Sequence, residues 1–168
     1  MRRVVFVLLF CAGLAALAAA QAPQPQVHAN LNQLMQALLF PNSNVIFAAQ
    51  AVDPTTIAQA DDPTIAADPL RGVYNGWLAI ENAGLALSEA ANLLTISGRV
   101  CANGRPVPTA NADWPALVQG LRDAGIAAYK AGQARSTDAV LEAADVMTTA
   151  CSNCHDRYRE VPIADRCM

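Results

Sequence analysis

Two cysteines three residues apart with a histidine directly behind the second, in the stretch TTACSNCHDRYRE (148–160), form the cluster in this chain whose spacing dictates a chemistry: Cys151, Cys154 and His155. Residues at i and i+3 on a helix are surface neighbours about one turn apart. Two thiols so placed can reach the two vinyl groups of one porphyrin as thioethers, and the adjacent imidazole is placed to ligate the iron from the same side. Cys-X-X-Cys-His is accordingly the attachment pattern of a c-type haem. Paired cysteines have other uses. A redox dithiol gains its low pKa at a helix N-terminus in a βαβ setting, whereas this pair falls near the C-terminal end of a helical stretch. A zinc site needs further ligands, and the only other histidine, His28, lies in the leader before the first helix. A local Cys151–Cys154 disulfide is the remaining alternative.

The compartment bears on that choice. Arg2 and Arg3, the apolar run from Val4 to Leu17 and the small residues Ala18, Ala19 and Ala20 read as a secretory signal cleaved near Ala20. An uncleaved run would instead tie the chain to a membrane. Cys11 follows Phe10 and is followed by more apolar sequence, which argues against a lipid-modified cysteine. A periplasmic product leaves Cys101, Cys151, Cys154 and Cys167 in an oxidising compartment, where disulfides or covalent cofactors consume thiols. The expected organisation is a signal over 1–20 and one domain over 21–168, since 168 residues give room for one real core. Without Arg2 and Arg3, the remaining 9 basic and 14 acidic side chains leave a balance of −5. This argues against a nucleic-acid binder, which needs a basic face, and favours partners with a basic docking surface. No Ser/His/Asp set, phosphate loop or paired-carboxylate site stands out, so nothing points to an enzyme.

The elements that must position the motif are helical. Asn30, with Gln33 three residues on, reads as a capping box. Leu31, Leu34, Met35, Leu38, Val45, Ile46 and Ala49 then keep one face apolar across Pro41, which predicts one helix kinked at Pro41. The span 53–68 is rich in Asp, Pro and Thr and reads as a loop. Asp68 and Pro69 predict the start of a second helix carrying Leu70, Val73, Trp77, Ile80, Gly84, Leu87, Ala91 and Leu94. Asp113 and Pro115 open a third, with Trp114, Leu117, Leu121, Ala124 and Ala128 as its stripe and Gly132 as its end. Ser136 or Thr137 caps a fourth, on which Val140, Ala144, Met147, Cys151, Cys154 and Tyr158 share a face. No segment reads as a strand. The fold expected is all-α, an up-and-down antiparallel four-helix bundle.

A haem motif near the end of the last helix, followed by Tyr158 and Arg159, resembles the class II c-type cytochromes, the cytochrome c′ superfamily. The segments LMQALLFPNSNVIF, GWLAIENAGLALSEAANLL and CSNCHDRYR are similar to an exported haem-protein group within it, over nearly all of the sequence after the signal. The resemblance implies a four-helix bundle carrying one covalent haem c. In low-spin members a methionine on the first helix is the second axial ligand; in five-coordinate members an apolar residue stands there.

The first and last helices of such a bundle run antiparallel. Met35 is about five residues into its helix and His155 about five from the end of its own, so both lie roughly 7–8 Å from level helix ends. Met147 lies two turns before His155 on the proximal side, Met168 is terminal, and His28 could approach only if the leader folded over the haem edge. Met35 is therefore the candidate distal ligand, with Leu31, Leu34 or Leu38 as apolar alternatives over an open site. Cys101 and Cys167 follow helices that finish at the same end of the bundle, which makes their disulfide geometrically reasonable; closing about 65 residues contributes roughly 3–4 kcal/mol in the chain-entropy model. Trp77 and Trp114 are expected in the seams, Trp114 near the motif. Arg99, Arg105 and Arg159 are candidates to approach the haem propionates. The function expected is a periplasmic monohaem cytochrome that passes single electrons to redox partner proteins. The alternative is a five-coordinate protein binding NO or CO, and a homodimer is compatible with either.

Overall fold

The computed structural model describes residues 25–59, 61–62 and 73–167; the signal at 1–20, the helix start at Asp68–Pro69 and Met168 lie outside them. Four helical rods pack in chain order, and the first also meets the last, as in an up-and-down bundle. The first rod is built from α1 (Leu31–Leu34), a π-helical turn (Met35–Leu39) and α2 (Phe40–Ala48). The others are α3 (Gly76–Leu93), α4 (Trp114–Ala134) and α5 (Thr137–Tyr158). Short 3-10 turns at Pro54–Thr56 and Ile163–Asp165 shape the connections. An isolated bridge between Val100 and Pro106 is the only β pairing among the described residues. No described helix is long and apolar enough to cross a membrane.

The caps explain most of the boundaries. The capping box forms: the Gln33 N–H donates to Asn30 Oδ1 at 2.8 Å, and the Asn30 N–H donates to Gln33 Oε1 at 2.9 Å. Asn75 accepts from the Leu78 N–H at 2.9 Å and starts α3 there. Val73, expected inside that helix, lies in a bend before it. Ser136 accepts from the Ala139 N–H at 3.2 Å and starts α5. Gly132 does not end α4. The helix runs on through Ala134 to Arg135, which takes the left-handed cap conformation at φ 49°, while Gly132 packs tightly against Glu81 of α3.

Proline in the first rod acts differently from a simple kink. The backbone widens into the π turn just ahead of Pro41, and the inward face slips by one residue across it. Leu39 is buried at 6% exposure, whereas Leu38, expected inside, is 37% exposed. The apolar register is thus not the same on both sides of Pro41.

α3 and α4 make the closest approach. A Cβ on Gly84 would lie 2.5 Å from the Tyr129 nitrogen, and one on Gly125 would lie 2.7 Å from both the Gly84 carbonyl oxygen and the Ser88 nitrogen. Backbone meets backbone there, so only glycine fits. The tail is fastened separately. Cys101 and Cys167 form a disulfide with a Cα–Cα distance of 4.9 Å across 66 residues of sequence. The Cys167 N–H donates to the Tyr158 carbonyl at 2.9 Å, Asn103 Nδ2 donates to the Arg166 carbonyl at 2.8 Å, and the Arg105 guanidinium donates to the Ala164 carbonyl.

Two glycines in α4 should therefore respond oppositely to alanine. Gly125→Ala forces the α3–α4 backbones apart and should cost about 1–3 kcal/mol. Gly120→Ala, whose added Cβ meets nothing within 4 Å, should stabilise by roughly 0.5–1 kcal/mol through helix propensity. Thermal melts of the two single variants check the pair.

Candidate functional site

At the end of the bundle where the first rod begins and α5 finishes, the rods enclose an apolar cavity of about 370 Å3. The first rod contributes Leu31, Met35, Leu39 and Ser43 to its wall, with Asn32, Gln36 and Phe40 beside them. α4 contributes Trp114, Leu117, Val118 and Leu121. α5 contributes Cys151, Cys154, His155 and Tyr158. Met35, Cys151, Cys154 and His155, selected from sequence on separate grounds, thus line one space. Of the apolar alternatives to Met35, Leu31 reaches the cavity and Leu34 and Leu38 do not; the register slip puts Leu39 there instead.

Both motif cysteines are free and half-buried. Burial pushes the Cys151 thiol up against the opposing pull of the Arg159 charge. Burial, then the neighbouring Cys151 and Asp113, push Cys154 up to about 11. Sulfurs with such values are protonated at neutral pH, the reverse of a redox dithiol with its low-pKa thiolate. Burial, followed by the Arg159 charge, lowers the His155 pKa, so the imidazole is neutral and keeps a nitrogen lone pair for a metal. Among the described residues no three or more His, Cys, Asp or Glu side chains converge on one point as a metal-binding group.

The aromatic wall is held by a clasp that spacing did not reveal. Tyr158 donates its hydroxyl to Asp113 Oδ1 at 2.6 Å, Asn111 Nδ2 donates to the Tyr158 oxygen at 3.2 Å, and Arg157 Nε donates to Asp113 Oδ2 at 3.0 Å. Asp113 therefore reaches across to the end of α5 instead of capping its own helix, where it makes no side-chain cap bond. The Trp114 ring stands edge-on to Tyr158 at 5.2 Å between centroids, and its indole N–H donates to the Leu94 carbonyl at 3.1 Å. Trp77 is buried elsewhere, at the opposite end of α3.

The three candidate arginines separate. Arg99 is buried and donates to the carbonyls of Ala29 at 2.5 Å and Leu93 at 3.2 Å, anchoring the leader to the end of α3. Arg105 is engaged with the tail through Ala164 and Asp165. Only Arg159 lines the cavity, with its Nε donating to Glu160 at 2.6 Å. His28 is exposed and outside the wall, and Met147 is buried in the core. Cys167 borders the cavity, so the disulfide closes part of its rim.

Comparison with protein-family models, with curated proteins and with solved structures finds no match to this chain.

The clasp gives the fold a pH dependence of defined sign. The Tyr158 hydroxyl first, and Arg157 second, hold the Asp113 carboxyl below its ordinary range against the contrary effect of desolvation. A carboxyl depressed on folding contributes stability above its unfolded pKa of about 3.9 that is lost as pH falls through its folded value. Asp113→Asn should lower the Tm at neutral pH, and its deficit against the wild type should shrink below about pH 4. A Tm series from pH 7 to pH 2 on both proteins checks this.

Proposed function

We propose that this protein is an exported monohaem c-type cytochrome that carries single electrons, with haem c bound in the cavity between the first rod and α5. The observation that carries the reading is that Cys151, Cys154, His155 and Met35 all line one apolar space. Its volume of about 370 Å3 falls in the range of sites for organic ligands and cofactors. The wall fits a porphyrin chemically: apolar side chains for the ring, two protonated thiols, a neutral imidazole, and Arg159 as a donor for a carboxylate.

Cys151 and Cys154 would each hold the ring by adding S–H across a vinyl double bond. Sulfur bonds to one carbon and hydrogen to the other, so the step needs no oxidant. His155 would present its nitrogen to the iron from the α5 side, and Met35 its thioether from the first rod. When bound, the haem supplies a one-electron Fe(III)/Fe(II) couple, whose potential a methionine–histidine pair raises. The chain's own contribution would be to surround His155 and Met35 with apolar side chains, to exclude water with Leu31, Leu39, Val118 and Leu121, and to offer Trp114 and Tyr158 as an aromatic wall. The acidic balance of −5 outside Arg2 and Arg3 suits redox partners with a basic docking face.

Intact mass of the protein exported from a cell with haem-ligation machinery tests the attachment. The expected product has lost the first twenty or so residues and gained one haem, and Cys151→Ser/Cys154→Ser should come out colourless. A colourless wild type overturns the proposal. Axial ligation is read from the visible spectrum: low-spin bands with the weak far-red absorption of sulfur-ligated ferric iron are expected, and Met35→Ala should abolish the latter. A high-spin spectrum indifferent to Met35→Ala would establish instead the five-coordinate protein that binds NO or CO.

A further inference from the structure

We propose that Pro41 is a positioning residue: by widening the turn ahead of itself it lets Met35 and the residues downstream of the turn face the same cavity. This rests on the reading of Met35 as distal ligand. Leu31, Met35, Leu39 and Ser43 all line the cavity, each four residues from the next. An α-helix turns about 100° per residue, so twelve residues carry Ser43 about 120° around the axis from Leu31 in a regular helix. That drift turns the downstream residues away from the face that Leu31 and Met35 present. One additional residue accommodated within a π turn takes back about 100° of that drift, and the turn at Met35–Leu39 does this, with the Phe40 N–H donating to the Met35 carbonyl five residues back.

Pro41 supplies the cause. It has no N–H to donate, and its ring would collide with the carbonyl of Ala37 in a regular helix. A wider preceding turn relieves the collision. The adjoining side chains bond locally to the backbone carbonyls there: Asn42 Nδ2 donates to the Leu38 carbonyl at 2.7 Å and the buried Ser43 hydroxyl to the Phe40 carbonyl at 3.0 Å. On either side the rod is anchored, by the Leu31 N–H to the Val100 carbonyl at 2.9 Å and by burial of Ile46 and Ala49. A change of twist must therefore be taken up between the anchors, where Met35 sits.

Pro41→Ala in the exported, haem-loaded protein tests this with two separate readouts. Through-hydrogen-bond NMR coupling from the Phe40 N–H should move from the Met35 carbonyl in the wild type to the Gln36 carbonyl in the variant. The far-red thioether band should be lost and the reduction potential should fall, while the haem stays covalently attached and helicity by circular dichroism does not decrease. A variant that keeps the coupling to Met35, or that switches it while retaining the wild-type band and potential, overturns the proposal. A wild type lacking the band overturns Met35 ligation and not the role of Pro41 in the turn, which the coupling then decides alone: a switch upholds it and no switch ends it.

Discussion

An apolar cavity of about 370 Å3 is the constraint around which the rest of the bundle is arranged. Protein interiors pack as densely as organic crystals, and the cost of an unfilled apolar space in a core runs near 24 cal/mol per Å3. Larger apolar side chains at the wall would close such a space, which here opens to solvent at its rim. The wall is instead shaped to persist, with a wide turn on one side and two large aromatic rings on the other.

The bundle can keep this opening because its rigidity lies elsewhere. α3 and α4 touch backbone to backbone at Gly84 and Gly125, which fixes their separation without reference to the cavity. α4 and α5 are then joined at the cavity end by the clasp among Asp113, Arg157 and Tyr158. The disulfide ties the loop after α3 to the tail after α5. Arg99 secures the first rod by gripping the Ala29 carbonyl just before its start. Each fastening stands at an edge of the space and none crosses it.

Most of this architecture was legible in the sequence because helix periodicity and capping are local. Asn30 with Gln33, and Ser136 with its following run, marked helix starts that hydrogen bonds then realise. The Cys101–Cys167 pair was suggested by topology together with the reading of an exported chain, since two elements ending at one end of a bundle bring their tails together. Three features were not legible, each for a non-local reason. The slip from Leu38 to Leu39 depends on how the backbone answers Pro41, and a fixed 3.6-residue period cannot express an inserted residue. Gly132 resembled a helix stop, but what selects glycine there is Glu81 on another helix. Asp113 had the composition of a cap, and only the folded chain puts Tyr158 and Arg157 within its reach. Of the candidate site, spacing and level-matching picked out Cys151, Cys154, His155 and Met35 as candidates. The fact that they share a wall required coordinates.

Cys101, Cys151, Cys154 and Cys167 pose a sorting problem that the site's electrostatics bear on. Four cysteines allow three pairings, and Cys167 borders the same cavity as Cys151 and Cys154. Exchange runs through thiolate. Burial pushes Cys154 up to about 11, which leaves little thiolate at neutral pH. Burial against apolar side chains thus disfavours attack of Cys154 on the Cys101–Cys167 bridge. The tail and the α5 thiols can share one rim because the apolar wall that lines it also holds those sulfurs protonated.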